Sequence, residues 1–80
     1  MAITECLPSV WTDIPAVSGD MLLEARGVGF YVDTTGVKPA NPAEGYALAS
    51  NEAMVISSGI AVAVQPAQPV KSVIAVSNPV

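Results

Sequence analysis

Turn-forming residues divide this chain of 80 residues into short segments. Seven prolines and six glycines recur along it, and the segments between them are rich in valine, isoleucine and alanine. Strand-length segments bounded by such residues are typical of all-β sandwiches and barrels. The best helical candidate, Gly19 to Arg26, is too short to be stable as an isolated helix. The sequence therefore predicts an all-β fold, a small antiparallel β-sandwich or jelly-roll-like barrel of about seven short strands.

The turn signals separate seven strands within a single domain, residues 1–80. A loop that contains Pro39 and Pro42 follows the third strand, and a spacer from Pro66 to Pro69 precedes the last. The predicted strands are Ser9 to Ile14, Asp20 to Arg26, Gly29 to Thr34, Tyr46 to Ala49, Ala53 to Ser57, Gly59 to Val64 and Val70 to Ser77. Residues 1–7 have no clear place in a compact core, so we expect them to form an extended N-terminal arm, open to exchange into a neighbouring copy.

Alternation along a strand assigns its residues to two faces. In the second predicted strand, one face carries Met21, Leu23 and Ala25, and the other carries Leu22, Glu24 and Arg26. In the sixth predicted strand, Ile60, Val62 and Val64 share the predicted core face, and Ala61, Ala63 and Gln65 lie opposite. In the later strands the residues opposite the predicted core are largely alanine, serine and valine rather than lysine or glutamate. Two interpretations remain: these faces are interfaces, or the sandwich is fully covered and its loops supply the polar surface. We favour interfaces, because neutral outer faces and edges invite sheet pairing.

Low charge and small size also favour interfaces between copies of the chain. Charged residues make up 12% of the chain and hydrophobic residues 51%, whereas an ordinary soluble domain has about 25% charged residues. A domain of this size is marginally stable unless disulfides, metals or oligomerisation add to its stability. The single Cys6 cannot form an internal disulfide, and there is no histidine. We therefore expect a homo-oligomer, and no metal or cofactor.

The charge balance argues against several partners. The net charge is −4, and the three basic residues, Arg26, Lys38 and Lys71, are scattered along the chain. Nucleic acids and anionic lipids require clustered basic residues, so we expect neither. The N-terminus lacks the basic and apolar regions of a signal peptide, and the uncharged stretch from Ala53 to Val70 is broken by turn residues. We expect synthesis in a reducing cytoplasm, without export by a signal peptide.

The chain offers little for catalysis. Triads of the Ser-His-Asp or Cys-His type need an imidazole, which is absent. The seven acidic residues are spread almost evenly, as on a solvated rim. Cys6 has no cationic neighbour in sequence to activate it, and we interpret it as a small buried residue. We expect no enzymatic activity.

Aromatic residues are the candidate binding residues. Tyr31 is predicted on the face opposite Phe30, and it could join Tyr46 and Trp11 in an interface or in a platform that stacks against glycans. Such a platform needs two or more exposed coplanar rings. Burial of Trp11 and Phe30 in the core is the competing interpretation, because large rings supply much of the burial in a small domain.

The order of segments resembles a known group of proteins. A tryptophan-bearing strand (SVWTDI) precedes MLLEARGVG and FYVDTT, and then come the loop KPANPAEGY, the hairpin AMVISSGIAVAV and the strand KSVIAVS. Within these, Leu48-Ala49-Ser50-Asn51-Glu52 and Ser57-Ser58-Gly59-Ile60 match a recurrent strand and turn pattern. The sequence is similar to the very small β-sandwich virion proteins of tailed bacteriophages.

The resemblance implies a structural role in the virion. Such proteins decorate or cement the capsid by bridging neighbouring major capsid subunits, or they belong to head and tail fibres. It implies a homotrimer bound to a major capsid protein, located in the virion, and no catalytic residues. The alternatives are a glycan- or receptor-binding module of a fibre or tail, and a small accessory subunit of a larger complex.

Overall fold

Two antiparallel sheets make up the protein. The structure is a computed structural model, and it describes residues 2–15 and 19–77. The strands are β1 (Ala2–Cys6), β2 (Thr12–Ile14), β3 (Met21–Arg26), β4 (Phe30–Asp33), β5 (Tyr46–Leu48), β6 (Ala53–Ile56), β7 (Val62–Pro66) and β8 (Ser72–Ser77). A 3₁₀ turn, Pro42–Glu44, lies between β4 and β5. No helix in the described ranges has the length and hydropathy to cross a membrane. The all-β prediction is confirmed.

The strand order follows from one long hairpin rolled up on itself. β1 pairs with β8, β2 with β7, β3 with β6 and β4 with β5, so the pairs are nested around the β4–β5 loop. Additional pairing of β3 with β8 and of β4 with β7 joins these hairpins sideways. The result is sheet A, in the order β1-β8-β3-β6, and sheet B, in the order β2-β7-β4-β5. This is the eight-stranded, double-sheet arrangement of a jelly roll.

The core lies between the sheets and follows the alternation of the strands. In β3, Met21, Leu23 and Ala25 are buried, whereas Leu22 and Glu24 are partly exposed and Arg26 is exposed, as predicted. The largest fully buried side chains are Phe30, Leu23, Ile74, Val32, Val64 and Cys6. Cys6 is buried, as predicted, and burial raises the pKa of its thiol. A protonated, buried thiol is unreactive.

The described residues form eight strands, in line with the prediction of about seven. The segment that was expected to be an extended N-terminal arm supplies the additional strand. Residues 2–6 form an eighth strand, β1, paired along its length with β8 of the same chain. The core is incomplete without β1, because it places Cys6 between the sheets with no exposed surface. Met1 lies outside the described residues. No turn residue precedes this segment in the sequence. The pattern of turn residues therefore did not indicate a strand there.

β7 is shifted relative to the sixth predicted strand. That strand was expected from Gly59 to Val64, whereas β7 runs from Val62 to Pro66. As a result Ile60, which was expected on the core face, is exposed. A proline can end this strand because Ala67 donates its backbone N–H to Gly29, so the nitrogen of Pro66 points away from β4. On that side β2 pairs only up to Val64, so no hydrogen bond is lost.

Candidate functional site: the outer faces of the two sheets

The outer face of sheet A is largely apolar. Cross-strand pairing aligns Ile3 with Ala75, Ala75 with Glu24, and Glu24 with Ala53. These residues form one row across the four strands, and the rows on either side of it complete the face. Its members are Ile3, Glu5, Leu22, Glu24, Arg26, Ala53, Val55, Val73, Ala75 and Ser77. Of the large apolar side chains, Ile3 is 54% and Val55 57% exposed, so the apolar groups of this face are open to solvent at two opposite edges.

The charges on this face are paired. Arg26 Nη2 lies 2.7 Å from Glu24 Oε1, and Arg26 Nε donates to the same oxygen at 3.0 Å. At the end of β1, Lys71 Nζ lies 3.5 Å from Glu5 Oε2. These are surface ion pairs, which contribute about 0–1 kcal/mol each to stability. These pairs also set the charge of the surface. Because each positive charge lies beside a negative one, the outer face of sheet A is close to neutral.

The outer face of sheet B is covered by the chain's own β4–β5 loop. The loop folds back so that Lys38 Nζ lies 2.8 Å from Asp13 Oδ1, and Trp11 Nε1 donates to the Pro39 carbonyl at 3.1 Å. Beneath it, Asp33, Ala63 and Gln65 are buried, although alternation places them on the side away from the core. Of the two interpretations of neutral outer faces, coverage by a loop holds for sheet B, whereas sheet A stays exposed.

Asp33 organises this loop. Its Oδ1 accepts hydrogen bonds from the hydroxyl of Thr35 at 2.6 Å and from the Thr35 N–H at 3.1 Å. Its Oδ2 accepts from the N–H of Lys38 at 3.0 Å. The Thr35 hydroxyl is the main cause that lowers the pKa of Asp33; burial opposes it, and the backbone N–H groups of Lys38 and Thr35 reinforce it. The carboxylate is fully used in these bonds, so it acts as a structural group.

We expect the stability of the protein to depend on the ionisation of Asp33. A lowered pKa in the folded state means that the stabilisation is complete above the unfolded value of about 3.9 and is lost as the pH falls through the lower, folded value. Asp33→Asn is therefore expected to be less stable than the wild type at neutral pH, and the two should converge well below pH ~4. Urea unfolding followed by Trp11 fluorescence measures the difference.

Asp13→Asn is the matched control, because the Asp13 side chain is 75% exposed and takes part only in a surface ion pair among the described contacts. It should change stability at neutral pH by less than Asp33→Asn does. A wild-type advantage over Asp33→Asn that is the same at neutral and acidic pH would contradict the assignment.

The three predicted aromatic binding residues do not come together. Tyr31 pairs with Ala47 and Gln65 on the outer side of sheet B and is half-buried. Tyr46 pairs with Val32, whose side chain points to the core side, so the two tyrosines lie on opposite faces of the same sheet. Trp11 is half-buried and held by Pro39. A coplanar platform of Tyr31 and Tyr46 is therefore not formed.

Each tyrosine instead lines its own cavity. Tyr46 is 57% exposed and borders a cavity of about 360 Å³ with Val32, Asp33, Thr35, Glu44 and other residues of the β4–β5 loop. Tyr31 borders a cavity of about 250 Å³ on the outer side of sheet B, with Gln65 beside it. Sequence reasoning placed Gln65 away from the core, but it gave no sign that this side chain is buried.

Residues that chelate metals do not converge in the described part of the chain. Among residues 2–15 and 19–77, no three Asp, Glu or Cys side chains are placed so that they could hold a metal ion. The residue that sequence reasoning missed on the outer face of sheet A is Ile3. Its signal was present in the alternation of residues 3–6, where Ile3 and Glu5 lie on one side and Thr4 and Cys6 on the other.

Comparison with models of protein families, with curated proteins and with solved structures found no match. The resemblance to small virion proteins of tailed bacteriophages therefore stays a prediction.

Proposed function

We propose that this chain is a structural subunit of a virion, a capsid decoration or cement protein, and that the outer face of sheet A makes its contacts both with neighbouring copies and with major capsid subunits. The observation that carries the proposal is the neutral and largely apolar character of this face, which is exposed at Ile3 and Val55 and partly exposed at Leu22 and Val73. Burying such a face against a partner is favourable by about 25 cal/mol per Å² of apolar surface. The proposed location is the virion, after synthesis in the host cytoplasm, and no catalytic step is part of it.

The two faces suit a subunit that lies on a larger body. The outer face of sheet B is closed by the β4–β5 loop, with its Lys38–Asp13 ion pair facing solvent. The outer face of sheet A also carries exposed charges, but they balance, because Arg26 and Lys71 are each paired with a glutamate. A subunit with one closed face and one adhesive face binds in a single orientation. Jelly-roll domains occur in viral capsids, which supports the proposal by analogy of fold alone.

The size of the adhesive face indicates what else must take part in the contact. Four strands about 4.8 Å apart and four to six residues long present a flat area of about 300 Å². A stable interface buries about 800 Å² on each partner. The contact must therefore extend beyond the sheet, and exposed Leu7 and Val70 lie next to it, at the ends of β1 and β8. A closed ring of copies provides this additional area, and a trimer suits the threefold positions of an icosahedral shell.

A charge placed on the outer face of sheet A should break this assembly. Val55→Glu puts a carboxylate at a position that is 57% exposed, so folding tolerates it, but burial of that carboxylate at an interface is costly. We expect the wild type to be a closed oligomer by light scattering at two protein concentrations, and Val55→Glu to be a monomer. Circular dichroism checks that the variant is folded.

Val37→Glu is the matched control. Val37 is 75% exposed in the β4–β5 loop, so the same change of residue and charge lies away from the outer face of sheet A. It should leave the oligomer intact. A monomeric wild type, or a Val55→Glu variant that keeps the wild-type mass, would rule out sheet A as the contact between copies.

Binding to the capsid is a separate measurement. Shells assembled from the major capsid protein encoded in the same genome should co-sediment with the wild type and with Val37→Glu, and not with Val55→Glu. Absence of co-sedimentation of the wild type would refute the decoration role, and an oligomer without capsid binding would favour the accessory-subunit alternative.

A further inference from the structure

We propose that the cavity beside Tyr31, on the outer side of sheet B, is a binding site for one neutral sugar ring. The site is independent of the proposed role of sheet A, because it lies on the opposite sheet. Its floor is the cross-strand pair of Tyr31 on β4 and Gln65 on β7. Its rim comes from three loops, which contribute Ser9, Pro42 and Pro69.

The unusual group in this cavity is the carboxamide of Gln65. The residue is only 6% exposed, and its Oε1 is buried without a hydrogen-bond partner among the residues that the structure describes. An unpaired buried acceptor costs about 1–3 kcal/mol. An apolar side chain would avoid this cost at that position. We therefore assign the amide to a ligand, toward which it must rotate, because its Oε1 has almost no accessible surface in the free protein. A carboxamide offers one acceptor and two donors, which a sugar hydroxyl can match because it both donates and accepts.

The lining selects the chemical class of the ligand. No charged side chain of the described residues borders the cavity, so a neutral ligand is favoured over a phosphate or a carboxylate. Tyr31 supplies a ring against which the apolar face of a sugar can pack, and Gln65 and Ser9 add polar groups to the lining. The volume of about 250 Å³ is below the 300–1,000 Å³ range of sites for drug-sized molecules, which indicates a single ring.

A peptide fits less well. Peptides commonly bind by adding a strand to an open sheet edge or by lying in a groove lined with several aromatic residues. β7 is paired with β4 along most of its length and with β2 up to Val64, so only Gln65 and Pro66 are left unpaired on one side, too short an edge for an added strand. Tyr31 is the one aromatic residue in this lining.

The test is a titration of the ¹⁵N-labelled protein with the methyl glycosides of glucose, galactose, N-acetylglucosamine and rhamnose, followed by NMR. At least one sugar should shift the Gln65 side-chain amide signals in a saturable manner in the millimolar range. Tyr31→Ala and Gln65→Met should each weaken this binding by about tenfold or more. Tyr46→Ala, which alters the other cavity, should not change it.

Stability distinguishes a ligand-binding role of Gln65 from a structural one. Gln65→Met keeps the length of the side chain but removes the unpaired oxygen, so its urea unfolding midpoint should equal or exceed that of the wild type. A lower midpoint would mean that the amide supports the fold, and it would overturn the proposal. So would the absence of saturable shifts with all four sugars, or shifts that appear only with a short proline-rich peptide, which would assign the cavity to peptides.

Discussion

Leu23→Ala is expected to destabilise the protein by about 2–5 kcal/mol, because it removes a fully buried side chain and leaves a cavity. Leu23 lies in β3, which pairs with both β6 and β8 at the centre of sheet A, so its surroundings have little freedom to collapse. Domains of this kind have a total stability of about 5–15 kcal/mol. A loss of this size lowers the melting temperature by roughly 10 °C or more. Urea unfolding at a fixed protein concentration measures it.

Leu22→Ala is the matched control for this prediction. It makes the same change one residue earlier in the same strand, but Leu22 is partly exposed on the outer face of sheet A. Its cost to the monomer should be about 1 kcal/mol or less, since less apolar surface is lost from the folded state. Equal losses for the two variants would mean that the two sides of β3 are wrongly assigned.

Gly29→Ala is expected to cost about 1–3 kcal/mol or more through a steric clash with backbone. A Cβ at residue 29 would lie 2.8 Å from the carbonyl oxygen of Leu48, a distance that carbon and oxygen do not tolerate. The oxygen belongs to β5, so it cannot move without shifting the β4–β5 pair. Gly45 has the same relation to the other strand, because its Cβ would lie 2.8 Å from the Val32 oxygen. Thermal unfolding of the variant measures the loss.

Gly36→Ala separates this clash from the loss of a glycine as such. Gly36 has a φ of +81°, but a Cβ there meets nothing within 4 Å. The cost should be limited to the backbone strain of about 1–2 kcal/mol for a left-handed residue with a Cβ. If Gly29→Ala proves no more harmful than Gly36→Ala, the close approach of β4 and β5 does not constrain residue 29.

The alternation of residues along a strand predicted correctly which side of β3 faces the core. The assignment of Met21, Leu23 and Ala25 to the core needed only the alternation of side chains, and it is confirmed. Alternation did not predict the burial of Gln65. It places this residue away from the core, but the side chain is nevertheless buried. The reason is the return of the β4–β5 loop over sheet B, held by Lys38 and Trp11, an arrangement between residues far apart in sequence.

At the candidate site, too, the sequence predicted the type of residue but not how the residues are arranged. Aromatic residues could be identified as binding candidates from the sequence, but their faces could not be related to each other without the pairing of β4 with β5. That pairing sets Tyr31 opposite Ala47, and Tyr46 opposite Val32, so the two rings lie on different sides of sheet B. The interface prediction named neutral outer faces in general, whereas the fold leaves only that of sheet A exposed at Ile3 and Val55.

The all-β class follows from local pattern, because turn residues keep every segment short and period-two alternation gives each strand a core side. The scarcity of charge, which makes an exposed apolar face possible, is likewise a property of the composition. The jelly-roll order, the inclusion of β1 and the choice of which outer face is covered follow from the tertiary structure instead. These depend on hydrogen bonds and packing between segments distant in the chain, such as Ala2 with Val76. Their energies arise only when both partners are in place, so no local pattern records them.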